Sequence, residues 1–136
     1  MKLFNWKYKY FKKKLAGIDC MIADMEFKRF KTLYVREQIR QEYDQCRSKL
    51  EIIKTQIASE KDKPTLSVDD FKRLEDEEVL LNKDIDKKVE QMKQLDIEVN
   101  GARPTAENPE GHQGINETIE ALRELTNVTK KYTQDL

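Results

Sequence analysis

Apolar residues recur in alternating steps of three and four from Phe4 to Ile57. The register runs Phe4, Tyr8, Phe11, Leu15, Ile18, Ile22, Met25, Arg29, Thr32, Arg36, Ile39, Tyr43, Cys46, Leu50, Ile53 and Ile57, and 13 of these 16 positions are apolar. The other 38 positions of the span hold only 12 apolar residues. A stripe this narrow is the seam of a coiled coil rather than the broad face of a globular helix. It predicts one long helix, best defined from Ile39 to Ile57. Gly17 is its weak point, because glycine costs about 1 kcal/mol relative to alanine inside a helix.

The stretch 61–67, Lys-Asp-Lys-Pro-Thr-Leu-Ser, interrupts the pattern. Pro64 removes a backbone donor and clashes with the preceding turn. Ser67 then reads as an N-cap, with Asp69 and Asp70 at the positive end of a second helix. That helix carries Phe71, Leu74, Glu78, Leu81, Ile85, Lys88, Met92, Leu95 and Val99 in register and stops at Asn100-Gly101. The two registers mirror each other about Pro64, setting Ile57 against Phe71, Leu50 against Glu78, Tyr43 against Ile85 and Arg36 against Met92. A short connection favours antiparallel neighbours. The expected fold is all-α: a long antiparallel, coiled-coil-like helical hairpin over 15–100 with its turn at 61–67. Glu78, Lys88, Arg29, Thr32 and Arg36 are polar seam positions of the kind that set register.

Two Pro and three Gly mark residues 101–114 as a loop. A third helix follows over about 115–133, within a C-terminal segment 115–136, with Ile115, Ile119, Leu122, Leu125, Val128 and Tyr132 as its apolar face. Two places compete for it. Val79, Leu80 and Val89 widen the stripe of the second helix. The first helix overhangs the second by residues 1–28, roughly 40 Å at ~1.5 Å per residue, and its seam there needs cover. One short helix is not expected to satisfy both, so an uncovered stripe implies a partner.

Charge is balanced overall, with 26 Lys plus Arg against 26 Asp plus Glu, but it is segregated. Residues 1–36 carry 10 bases and 3 acids, residues 37–63 carry 6 of each, residues 64–100 carry 6 bases and 11 acids, and residues 101–136 carry 4 and 6. A length of 136 residues is that of one domain. No apolar run reaches the ~18 residues of a membrane span, and no secretory leader is read. The expected setting is cytoplasmic or a cytoplasmically assembled complex, neither secreted nor transmembrane. Cys20 and Cys46, roughly 39 Å apart along one helix at ~1.5 Å per residue, read as small hydrophobes rather than a disulfide.

The first 14 residues are the most distinctive, with six Lys, no acid and five aromatics. As a helix they continue the seam. As a strand they align Phe4, Trp6, Tyr8 and Tyr10 on one face, suited to adding to a sheet edge. On a membrane surface the aromatics enter the interface while lysines meet anionic lipid. On a nucleic acid, Lys7, Lys9, Lys12, Lys13 and Lys14 are candidate phosphate contacts. A fifth alternative is a free solvated tail. A second off-register group, Phe27, Phe30, Leu33, Tyr34 and Val35, reads as a local swing of the apolar face or as a docking patch. The candidate partner-binding residues are therefore Phe4, Trp6, Tyr8, Tyr10, Phe11, Leu15, Ile18, Ile22, Phe27, Phe30 and Tyr34.

Catalytic chemistry has little foothold. His112 sits in the Gly-rich loop, and neither cysteine has an activating context. Phosphate loops, dinucleotide loops and paired metal-ligand motifs are missing. The acids Glu75 to Glu78 and Asp84/Asp86 diverge around a helix and make a poor cation cage. Asn116-Glu-Thr and Asn127-Val-Thr carry little weight as glycosylation acceptors without a secretory leader. The expectation is a non-enzymatic structural or assembly subunit with no cofactor, metal or small-molecule substrate. It docks onto protein partners or itself; nucleic-acid binding and a membrane-surface adaptor are the alternatives.

Overall fold

The computed structural model describes the backbone of residues 2–134 and the side chains of residues 6–134. The fold is all-α, with α1 Lys2–Asp62, α2 Val68–Asn100 and α3 Ile115–Gln134. Between Phe11 and Ile57 every position of the predicted three-four register is buried or half-buried, and every other position is exposed. The register continues without rotation through Arg29, Thr32 and Arg36, so the expected swing of the apolar face around Phe27–Val35 does not occur. The chain's contacts gather into two compact units rather than the one domain expected from length. One unit is Tyr34–Gln94; the other joins the residues up to Leu33 with those from Leu95 onward. Each has its own apolar cluster, and the seam of α1 is polar at Arg29, Thr32 and Arg36.

Unit Tyr34–Gln94 is the helical hairpin. Cys46, Leu50 and Ile85 form its buried cluster, with Tyr43, Leu81 and Val89 packed against it, and Ile53 and Ile57 extend the buried row toward the turn. Burying a side chain of this size contributes about 1.5–3 kcal/mol. Tyr43 therefore meets the Ile85 cluster, as the reflection predicts. The connection is held by Glu60, whose carboxylate accepts the N–H groups of Thr65 at 2.8 Å and Leu66 at 3.0 Å, and the Thr65 hydroxyl. These bonds, the hydroxyl first, hold the Glu60 carboxyl below its ordinary pKa. Ser67 caps α2, its Oγ accepting the Asp70 N–H at 3.2 Å. The polar seam position Lys88 donates to Glu42 at 2.9 Å and lies 3.7 Å from Asp84. The Glu42 bond raises the Lys88 pKa.

The other unit contains the beginning of α1, the end of α2 and α3. Val99, Ile115 and Ile119 form its cluster, with Ile22 and Met25 packed against them. The third helix thus lies on the N-terminal part of α1, and Val79 and Leu80 of α2 remain exposed. The loop explains how α3 arrives there. Gly101 adopts φ 80° and donates to Ile97 O at 2.7 Å, closing α2. Ala102 and His112 exchange main-chain hydrogen bonds of 2.8 and 2.9 Å. A Cβ on Gly114 would stand 2.3 Å from Gly101 N, so only glycine lets the two ends of the loop touch. Arg29 then donates to Asn116 at 2.9 Å, and Asn116 donates to Asn100 at 3.0 Å. Arg29, a polar seam position, thereby pins the start of α3.

The packed face of α3 departs from expectation. Ile115 and Ile119 are buried and Leu122 half-buried as predicted, but the row continues through Thr126, Thr129 and Thr133. Leu125, Val128 and Tyr132 are exposed. At about 100° per residue, a step of four advances the face by about 40° and a step of three retreats by about 60°. The two successive threes from Leu122 to Val128 therefore walk off the face. The threonines tolerate burial because their hydroxyls donate to carbonyls one turn back, Thr126 to Leu122 at 3.0 Å and Thr129 to Leu125 at 2.8 Å.

Candidate protein-docking face

The described part of the basic aromatic segment is helix, not strand, and its residues 6–10 are exposed. α1 runs through residue 14 without a break. Helical winding places Trp6 over Tyr10, their rings 5.9 Å apart and 18° from parallel. Tyr10 meets Phe11 edge-on at 5.4 Å. Phe11 stacks on Tyr132 of α3 at 6.5 Å. Trp6 is 64% exposed, and Tyr8 and Tyr10 are about half-exposed. The Phe4 side chain lies outside the described residues.

Next to this ladder, between α1 and α3, runs an open groove of about 820 Å³. It is lined by Tyr10, Phe11, Lys13, Lys14, Gly17, Ile18, Met21, Leu125 and Thr129. The outward turn of Leu125 is what furnishes one wall. Sequence reasoning assigned Leu125 and Tyr132 to the packed face of α3 and passed over Met21 entirely. The step rule for α3 was the signal that could have identified the first two.

Lys7, Lys9, Lys12, Lys13 and Lys14 are all exposed. Lys12 Nζ lies 5.9 Å from the Tyr8 ring centre, and Lys14 Nζ 5.7 Å from that of Tyr10. These are cation–π contacts, worth about 0.5–1 kcal/mol at exposed sites. They set the ammonium groups against the aromatic faces.

Other predicted partner residues are placed differently. Ile18 is buried, Leu15 and Ile22 are half-buried, and Ile22 packs on the Val99–Ile115–Ile119 cluster. They are not the uncovered stripe expected of the overhang, because α3 covers that side. Phe27 and Phe30 remain exposed in the same unit as the groove, with Lys31 Nζ 4.8 Å from the Phe27 ring centre. Tyr34, in the hairpin unit, is exposed as well.

His112 borders a polar hollow of about 600 Å³ beside Arg103, Glu110 and Glu117. Among the described residues no group of three or more His, Cys, Asp or Glu is arranged to hold a metal ion. No helix among them is long and apolar enough to cross a membrane. Cys20 and Cys46 are free thiols. Cys46 donates to Asp84 at 3.2 Å, and burial first, then the neighbouring carboxylate, pushes its thiol pKa up. No protein-family profile, curated protein or solved structure matches the chain.

Proposed function

We propose that this chain is a non-enzymatic assembly subunit that docks onto other protein chains through the aromatic, lysine-edged groove between α1 and α3. The observation that carries this reading is the groove itself. Its apolar wall and floor residues are joined to a ladder of exposed rings, although an intramolecular helix already covers the seam beside it. Exposed aromatics around an apolar hollow with charge at the margin are the usual make-up of a protein interface.

The test is recovery of the tagged full chain from its natural source, followed by light scattering on the purified material. The expected result is an assembly of defined stoichiometry that Tyr10→Ser with Leu125→Ser disrupts, while the variant chain keeps its helical content. An assembly indifferent to those substitutions, or a chain recovered only as a monomer, would refute the proposal.

Nucleic-acid binding is a second reading, favoured by the five exposed lysines within two to three turns of helix. Its phosphate component predicts a salt slope near −3 to −4 for roughly four neutralised phosphates. Affinity for a polyanion that ignores ionic strength would eliminate this reading.

A further inference from the structure

We infer that the occupant of the docking face is a second copy of this chain, which presents the acidic, partly apolar outer side of α2 around Val79 and Leu80. The inference rests on the proposed docking role of the groove and names its partner.

The first element of the argument is chemical complementarity. On a helix surface each residue neighbours those three and four positions away. Tyr10 is thereby ringed by Trp6, Lys7, Lys13 and Lys14, an apolar centre with a basic rim. Leu80 has Asp76 and Glu77 among its neighbours, with Lys83 the one base. Val79 adds Glu75 and Asp76. Val79 and Leu80 are 52% and 65% exposed, and Glu75, Asp76 and Glu77 are exposed too. The α2 surface is therefore an apolar centre with an acidic rim. Two such surfaces satisfy each other's charges and cover each other's apolar atoms.

The second element is the charge balance. Net charge is zero, so no long-range repulsion keeps copies apart. The symmetric alternative of groove on groove would press two clusters of exposed lysines together. A basic patch on a neutral chain with a matching acidic patch points to an unlike pairing between copies.

The experiment is sedimentation velocity of the purified full chain over a wide concentration range, at low and high salt. Wild type is expected to associate at low salt and to dissociate as salt rises. Lys13→Glu with Lys14→Glu is expected to weaken association by roughly tenfold or more, and so is Glu75→Lys with Glu77→Lys, because each places like charges opposite one another. Mixing the two variants in equal amounts restores association, since the reversed groove of one meets the reversed α2 of the other. That restoration also shows that neither variant is misfolded.

A wild type that stays monomeric throughout overturns the inference. Association that neither reversal weakens, or a mixture that fails to recover, does the same. A chain that stays monomeric yet binds anionic phospholipid vesicles or a polyanion through Lys13 and Lys14 also overturns it. Monomeric behaviour of the pure chain, combined with a groove-dependent assembly from the natural source, removes the self-pairing and leaves the docking role standing.

Discussion

Leu50 and Ile119 are the side chains most completely withdrawn from water, at 2% and 1% exposure. Each anchors the cluster of its own unit. Truncation leaves a cavity as well as lost transfer energy, so Leu50→Ala and Ile119→Ala are each expected to cost about 2–5 kcal/mol, read from denaturant titrations followed by circular dichroism. Cys46 yields a chemical prediction. Its buried thiol has a raised pKa, so at neutral pH it offers less thiolate than an ordinary cysteine. Maleimide should therefore label exposed Cys20 quickly and Cys46 slowly, and Cys46 labelling should accelerate only as pH climbs. Asp84→Asn removes the anionic neighbour, lowers that pKa and speeds Cys46 labelling at a given pH. Equal labelling rates for the two cysteines in the folded chain would contradict the burial. The small-hydrophobe reading of both cysteines rests on their separation along one helix, and Cys46 is buried while Cys20 is exposed. The bond of Cys46 to Asp84 does not follow from the sequence, because that contact joins residues 38 positions apart.

Among the elements, α1 is the most legible, since steps of three and four record which positions turn inward whatever they pack against. Gly17 tests its tolerance. A Cβ there meets nothing within 4 Å, so Gly17→Ala should stabilise the chain by about 0.5–1 kcal/mol through backbone entropy alone, seen as a higher thermal midpoint. The case of α3 is less simple, because two sets of positions compete for its inner face. If the inner row is Thr126 and Thr129, then Leu125→Thr should change stability by about 0.5 kcal/mol or less. Leu122→Thr, on the packed face, should cost more than 1 kcal/mol, as burying a hydroxyl in place of an isobutyl group does. The opposite ranking in urea titrations would return Leu125 to the core. The loop contributes in the same local way: Gly101 is needed for its positive φ and Gly114 for a backbone approach too close for any side chain.

At the scale of the whole chain, charge is segregated rather than balanced point by point, basic at the start of α1 and acidic along α2. The chain contains a single tryptophan, Trp6, at the exposed end of the ring ladder that leads into the groove. Its emission in the free chain should be that of a solvated indole. A protein partner covering the ladder should move it to shorter wavelength, and Tyr10→Ser with Leu125→Ser should abolish that move. An emission unchanged by a bound partner would place the interface elsewhere. Local rules were enough for the all-α class, the turn at 61–67, the Ser67 cap and the inward positions of α1 from Phe11 to Ile57, because periodicity and capping depend on residues within a turn or two; in α2 the register positions are inward, but Asp84, Asp96, Ile97 and Glu98 are half-buried beside them. Those rules could not choose between the two apolar stripes that competed for α3. That choice compares packing between residues far apart in sequence and depends on the glycine contact that brings the loop ends together, so the groove exists only once the helices are docked.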